Sequence, residues 1–171
     1  MFSIDQEQAA AERSHVKVLE LARTCGWLRH VLGRQEDILA QVAMLDRSQD
    51  ATSWAHHWAL LDGGVGGLFD LEEIVLAPAI VALGLRAHAV TAQMCRRHIV
   101  REVEDLRWPS WQDGSERVRH LAGLLADHFA REQANSYRAL ARQEAHANAA
   151  LTLRCEDMSG EPADAGSGAT A

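Results

Sequence analysis

The chain has 171 residues, a formal net charge of −7 with the histidines neutral, and an apolar fraction of 47%. This length suits one domain with its own core and is too short for two comfortable ones. The basic residues are scattered among acidic ones, so no lysine or arginine stripe is offered to a phosphate backbone, and nucleic acid is not an expected partner.

The cysteines Cys25, Cys95 and Cys155 are widely spaced and form no CxxC pair. They indicate neither a disulfide framework nor a thiolate zinc site, and they fit a reducing compartment. The N-terminus has no cationic start followed by an apolar run, and no apolar stretch reaches membrane-spanning length. We expect a cytoplasmic protein with no membrane partner, either a monomer or a homodimer.

The first predicted helical segment runs from about Asp5 to Leu45, where apolar residues recur at helical spacing. Gly26 and Gly33 weaken it, so it is either one kinked helix or a short helix leading into a longer one. The polar run DRSQDATS, residues 46–53, then predicts a turn.

The second helical segment contains the run DGGVGG, whose four glycines predict a break or a strained patch. The helical stripe resumes at Leu68. Pro78 must kink or distort this helix, because proline lacks a backbone N–H, and Gly84 predicts its end.

The third helix is predicted from about His88 to Leu106, and the fourth from about Ser115 to Ala147, with Asp113 or Ser115 as its N-cap. A chain rich in Ala, Leu, Glu, Arg and Gln favours an all-α fold.

Four helices with short connections predict an up-down-up-down four-helix bundle, with a helical extension at its N-terminus. This bundle occupies residues 1–150. Residues 151–171 end in a small, polar, glycine-rich sequence and are predicted to form a flexible, disordered tail.

Two helices carry a histidine one turn before a glutamate. On the fourth, His128 and Glu132 follow Leu121 and Leu125 on one apolar face. Both side chains are therefore predicted to point inward.

On the third helix, His98 and Glu102 follow Met94 and Cys95, and Leu106 continues the row. The solvated side of this helix is assigned to three charged residues: Arg96, Arg101 and Glu104. His98 and Glu102 are therefore also predicted to point inward.

The second helix places Glu72 in a leucine-rich stripe. Burying a lone carboxylate costs several kcal/mol even after relaxation, so the fold must supply partners or a cation. The first helix offers His30, or alternatively His15. At about 1.5 Å of helix per residue, His30 lies nearer the level of Glu72 and is the preferred candidate.

Together these residues resemble the ligand set of the hemerythrin-like family, also called HHE cation-binding domains: His30, Glu72, His98, Glu102, His128 and Glu132. The resemblance covers roughly residues 28–140 and is most specific in MCRRHIVREVEDL and LLADHFAREQ. It implies a four-helix bundle around a non-haem iron centre, with manganese or zinc as other ions that suit such ligands. It also implies binding or sensing of a diatomic molecule such as O2 or NO, or iron handling, rather than a substrate-specific reaction.

The chain departs from the family pattern at Leu68, where the family has a histidine, and at Gln133, where it has a second glutamate. Asp70, His57 or Glu73 would have to replace the missing imidazole. The sequence leaves open whether the chain binds one ion, two or none. The alternatives are a di-iron enzyme that repairs oxidative or nitrosative damage, and a metal-free helical interaction module.

Overall fold

The computed structural model describes residues 16–107 and 114–159. Within these ranges the chain forms helices joined by turns and contains no β-strand, which confirms the predicted all-α class. None of the helices described there has both the length and the apolar composition needed to cross a lipid bilayer. Several predictions fall outside the described residues, namely the helix from Asp5, the ligand candidate His15, the N-cap at Asp113 and the tail beyond residue 159.

Residues 16–22 are helical and are followed by a break at residues 23–25, so the first segment is a short helix leading into a longer one. The later helices are α1 (Gly26–Asp46), α2 (Ala51–Leu71, a π-helical turn Glu72–Leu76, and Ala77–Ala82), α3 (Arg86–Asp105), α4 (Gly114–Glu132, a π-helical turn Gln133–Tyr137, and Arg138–Ala141) and α5 (Ala145–Ser159). Consecutive helices from α1 to α4 contact each other, α1 also contacts α4, and α5 lies on α1. The apolar core lies between these helices.

The turn between α1 and α2 forms where the polar sequence predicts it. The Asp50 carboxylate accepts a hydrogen bond from the backbone N–H of Ser53 at 2.8 Å and so caps the start of α2. One turn further on, the indole N–H groups of Trp54 and Trp58 donate to backbone carbonyls near the end of α3. The acceptors are the carbonyls of Leu106 and Val103, so the two bonds tie the start of α2 to the end of α3.

The predicted break at DGGVGG is wrong, because α2 continues through all four glycines. The small size of two of them, Gly64 and Gly67, serves packing instead. A Cβ atom on Gly64 would lie 3.3 Å from Ile38 of α1, and one on Gly67 would lie 3.2 Å from the Arg34 guanidinium. These two glycines therefore let α1 and α2 approach closely at a level just before Glu72.

The distortion predicted from Pro78 is confirmed as a π-helical turn, in which the Ala77 N–H donates to the Glu72 carbonyl. Pro78 has no N–H to donate to the carbonyl of Ile74, four residues earlier. Arg154 of α5 donates to that carbonyl instead, at 3.2 Å. The predicted stop at Gly84 is also confirmed, since this residue has φ +81°, a left-handed conformation that favours glycine.

The predicted boundary at residue 150 is wrong for residues 151–159, which belong to α5 rather than to a flexible tail. Leu151 and Cys155 are buried against the core. The Thr152 hydroxyl accepts a hydrogen bond from the Trp27 backbone N–H at 3.0 Å and so caps α1. Thr152 finds its partner on α1 and Arg154 finds its partner on α2, and local composition does not reveal either contact.

The predicted fourth helix, from about Ser115 to Ala147, is interrupted by a turn at residues 142–144. The Asn148 side-chain amide donates to the carbonyls of Ala141 and Gln143, at 3.2 and 2.9 Å. These bonds terminate α4 and set the start of α5.

The three cysteines differ in burial, and this predicts their reactivity. Burial raises the pKa of the Cys25 thiol, and it raises the pKa of Cys155 to about 11. Thiolate is the reactive form, so the raised pKa values and the burial of these two thiols lower their reactivity. We expect a thiol reagent to label the half-buried Cys95 quickly and the other two only after unfolding, measured by absorbance against time. Cys95→Ser should abolish the fast phase, and a fast phase that persists would contradict this assignment.

Candidate functional site

A buried polar cluster lies between α2, α3 and α4. Its charged and imidazole members are Glu72, Arg96, His128 and Glu132, whose exposed fractions are 2%, 5%, 1% and 6%. Tyr137, which is fully buried, completes it. We call this group the interior cluster.

Glu72 is held by donors on two sides. The Tyr137 hydroxyl donates to Oε1, and Nη1 of Arg96 donates to Oε2 at 3.2 Å. Nε2 of His128 lies 3.5 Å from the same Oε2, yet it has no hydrogen-bond partner among the described residues. An orphaned nitrogen on a buried imidazole is unusual, because buried polar atoms are normally satisfied.

The electrostatics of the interior cluster follow from burial and from its two carboxylates. Burial raises the pKa of Glu132, and the nearby Glu72 raises it further, against smaller opposing effects of His128 and Arg96. Burial, followed by Glu72 and Glu132, also raises the pKa of Tyr137 well above its usual value. Tyr137 therefore acts as a neutral hydrogen-bond donor, and Arg96 is the permanent cation of the group.

Both π-helical turns border the interior cluster. Glu72 begins the first turn, while Glu132 directly precedes the second and Tyr137 ends it. A π-turn adds a residue to one helical turn and shifts the side chains that follow it, and such turns are frequent at functional sites. A π-helical turn therefore shifts the side chains of both α2 and α4 at the level of the interior cluster.

A small cavity of about 50 Å³ between α3 and α4 reaches His128 and Glu132. His88 and Cys95 also line it. This volume is enough for roughly one water-sized guest, so the interior cluster adjoins a space suited to a very small ligand.

Three of the six predicted ligands lie in the interior cluster, namely Glu72, His128 and Glu132. His128 lies 3.5 Å from Glu72, but the ligand atoms of the three residues are not all within 4.8 Å of one another. The inward orientation predicted for His98 and Glu102 is wrong, since His98 is exposed and Glu102 half-buried. The core-facing row of α3 is instead formed by Ala92, Arg96, Ile99 and Val103. The assignment of Arg96 to the solvated side is therefore also wrong.

His30 does not join the interior cluster. It is half-buried and lines a separate groove of about 740 Å³ with Arg34 of α1, Gly64 of α2 and Glu156 of α5. On α1 the buried polar residue is Gln35, whose side-chain oxygen accepts from Gln133 at 2.8 Å.

The residues named as substitutes for the missing imidazole at Leu68 lie elsewhere. His57 pairs with Gln41 at 3.1 Å, and Glu73 accepts from Gln93 at 3.2 Å. Asp70 is exposed, whereas Leu68 is fully buried in the core.

The sequence analysis missed Arg96 and Tyr137. For Arg96 a signal was present, because the row through Ile99 and Val103 is more apolar than the row through His98. For Tyr137 no signal was present, because the π-helical turn before it changes the spacing on which the helical pattern depends.

Two groups of metal-ligating side chains result from this geometry. One is the interior set of Glu72, His128 and Glu132. The other is the only group in the described part of the chain in which three such residues have ligand atoms within 4.8 Å of one another, and it joins His98 and Glu102 to His120. Comparisons with protein-family models, with curated proteins and with solved structures found no match to this chain.

Proposed function

We propose that the protein is a metal-binding protein of the hemerythrin-like type, in which Glu72, His128 and Glu132 hold one non-haem ion. The observation that carries this proposal is the orphaned Nε2 of His128, buried at 3.5 Å from a carboxylate oxygen of Glu72. A divalent cation would give that nitrogen a partner and would offset the second carboxylate, Glu132. One imidazole and two carboxylates suit iron or manganese.

The helix contacts support the finer fold that this proposal requires. Contacts between consecutive helices from α1 to α4, together with the contact between α1 and α4, are those of a ring of four helices. Short connections between consecutive helices favour antiparallel neighbours. We propose an up-down-up-down four-helix bundle with α5 as an addition on the outside of α1.

A two-ion centre does not fit the interior. His98 and Glu102 face the surface, His30 lines another groove, and the guanidinium of Arg96 lies beside Glu72. Only three donors remain for a metal. Arg96 and Tyr137 orient Glu72, and the small cavity beside His128 and Glu132 admits only a small guest. A bound iron would supply affinity for a diatomic ligand such as O2 or NO, because three protein ligands leave open coordination positions.

A second candidate is a metal-free helical interaction module. The observation that favours it is the ion pair between Arg96 and Glu72, which already supplies a cation to the interior. Under this alternative the guanidinium of Arg96 also attracts the Glu132 carboxylate electrostatically, and no metal is needed. The two candidates differ in metal content.

Metal analysis tests the proposal directly. After reconstitution with ferrous iron under anaerobic conditions, we expect about one tightly bound iron per chain, measured by elemental analysis after desalting. His128→Ala and the isosteric Glu132→Gln should each lose this iron, because each removes one of three ligands. The measurement is made in a His120→Ala background, so that ions on the surface group do not contribute.

His56→Ala is the matched control, since His56 is an exposed histidine on α2 and its loss should leave the iron content unchanged. Circular dichroism establishes that each variant is folded. Iron that is absent from the folded parent and from all the variants would reject the proposal in favour of the metal-free module.

A further inference from the structure

His98, Glu102 and His120 form a group on the surface between α3 and α4. His98 and Glu102 are four residues apart on α3, so their side chains leave the helix on the same face, one turn apart. His120 reaches them from α4, and all three ligand atoms lie within 4.8 Å of one another. His98 and His120 are exposed, and Glu102 is half-buried.

The chemistry of this group differs from that of the interior cluster. Two imidazoles and one carboxylate are a ligand set for zinc in sites that keep an open position, and for non-haem ferrous iron. Calcium and magnesium prefer oxygen ligands alone and are disfavoured. Arg96, the buried cation of α3, does not occupy this group, because it pairs with Glu72 in the interior cluster.

The distances are close to those that a bound ion requires. Two ligand atoms that share one zinc ion at about 2.1 Å each lie roughly 3 to 3.5 Å apart. The observed separations, within 4.8 Å, need only small side-chain rotations to reach this spacing. Exposed histidine side chains can make these rotations without disturbing the core.

We propose that His98, Glu102 and His120 form a metal site that binds one divalent transition-metal ion, with zinc as the probe. The site ties α3 to α4 and leaves at least one coordination position facing solvent. This proposal does not rest on the interior site, because the two groups share no residue. Metal bound here stabilises the folded chain by mass action, since the unfolded chain does not hold the three ligands together.

The test is zinc binding to the full-length chain, measured by isothermal titration, together with the visible spectrum of the cobalt-substituted protein. The wild type should bind one zinc equivalent at this site, and His120→Ala and His98→Ala should each weaken its binding by about tenfold or more. Cobalt should give a ligand-field spectrum that both variants lose. Because both histidines are exposed, the variants should keep the melting temperature of the metal-free wild type.

His146→Ala is the matched control. His146 also lies near a glutamate, with Nδ1 3.2 Å from Glu144 Oε2, but this exposed pair has no third ligand. The control should retain zinc affinity and the cobalt spectrum. Equal loss in His146→Ala and His120→Ala, or no loss in His120→Ala, would overturn the proposal. His128→Ala, which removes an interior ligand, should leave the zinc equivalent at the surface group in place.

Discussion

Replacing Arg96 by leucine is expected to lower the free energy of unfolding by about 3–5 kcal/mol. Arg96 is 5% exposed, and its guanidinium lies 3.2 Å from the carboxylate of Glu72, which is 2% exposed. Removing the guanidinium leaves Glu72 as a buried charge whose remaining donor is Tyr137. The removal of this positive charge would also leave the repulsion between Glu72 and Glu132 without compensation. Urea unfolding followed by circular dichroism measures the change.

The control for this prediction is Arg101→Leu, which removes an exposed arginine from the same helix and should change stability by no more than about 0.5 kcal/mol. The double variant Glu72→Gln/Arg96→Leu should recover much of the loss, because glutamine carries no charge to neutralise. Equal stability of the Arg96 and Arg101 variants would show that the ion pair does not hold the interior together. Iron should restore stability to Arg96→Leu if an ion can take the place of the guanidinium.

Ending the chain after Ala150 is expected to cost about 3–5 kcal/mol, from the exposure of apolar surface and the loss of a helix cap. Leu151 and Cys155 are buried at 7% and 0% exposure. Thr152 accepts a hydrogen bond from the first turn of α1, and Arg154 donates to the carbonyl that Pro78 leaves without a partner. The truncation removes all of these contacts together, and thermal or urea unfolding measures the loss.

The reference for this truncation is a chain that ends after Ser159, because comparison of the two forms isolates residues 151–159. Within the longer form, Thr152→Ala should cost about 1 kcal/mol through loss of the cap on α1. Truncated forms that unfold at the same urea concentration would mean that residues 151–159 contribute nothing to stability.

The orientation of α4 was predicted correctly from sequence, whereas that of α3 was predicted wrongly. On α4 the row through Leu121, Leu125 and His128 has no competing apolar row. On α3 two rows have helical spacing and both contain Leu106. The observed row through Arg96, Ile99 and Val103 lies one residue beyond the predicted row, which corresponds to a rotation of about 100° around the helix axis.

The partner of Arg96, which is distant in the chain, explains why the predicted orientation of α3 was wrong. An arginine is normally assigned to the solvated face, because burying its charge is costly. Here Glu72, 24 residues earlier in the chain, offsets that cost. Ile99 and Val103 can then enter the core, and His98 and Glu102 rotate outward to meet His120. The tertiary pair therefore decided which polar residues of α3 became buried.

The sequence by itself determined the helical class, the turn at Asp50, the distortion at Pro78, the stop at Gly84 and the burial of Glu72, His128 and Glu132. These features depend on residues within one or two helical turns, where capping, proline and apolar spacing act. Only the tertiary structure decided that three of the six candidate ligands lie in the interior, that His98 and Glu102 lie in a surface group, and that His30 lines a separate groove. That division depends on the rotation of α3 and on the ion pair between Arg96 and Glu72, which joins segments distant in the chain.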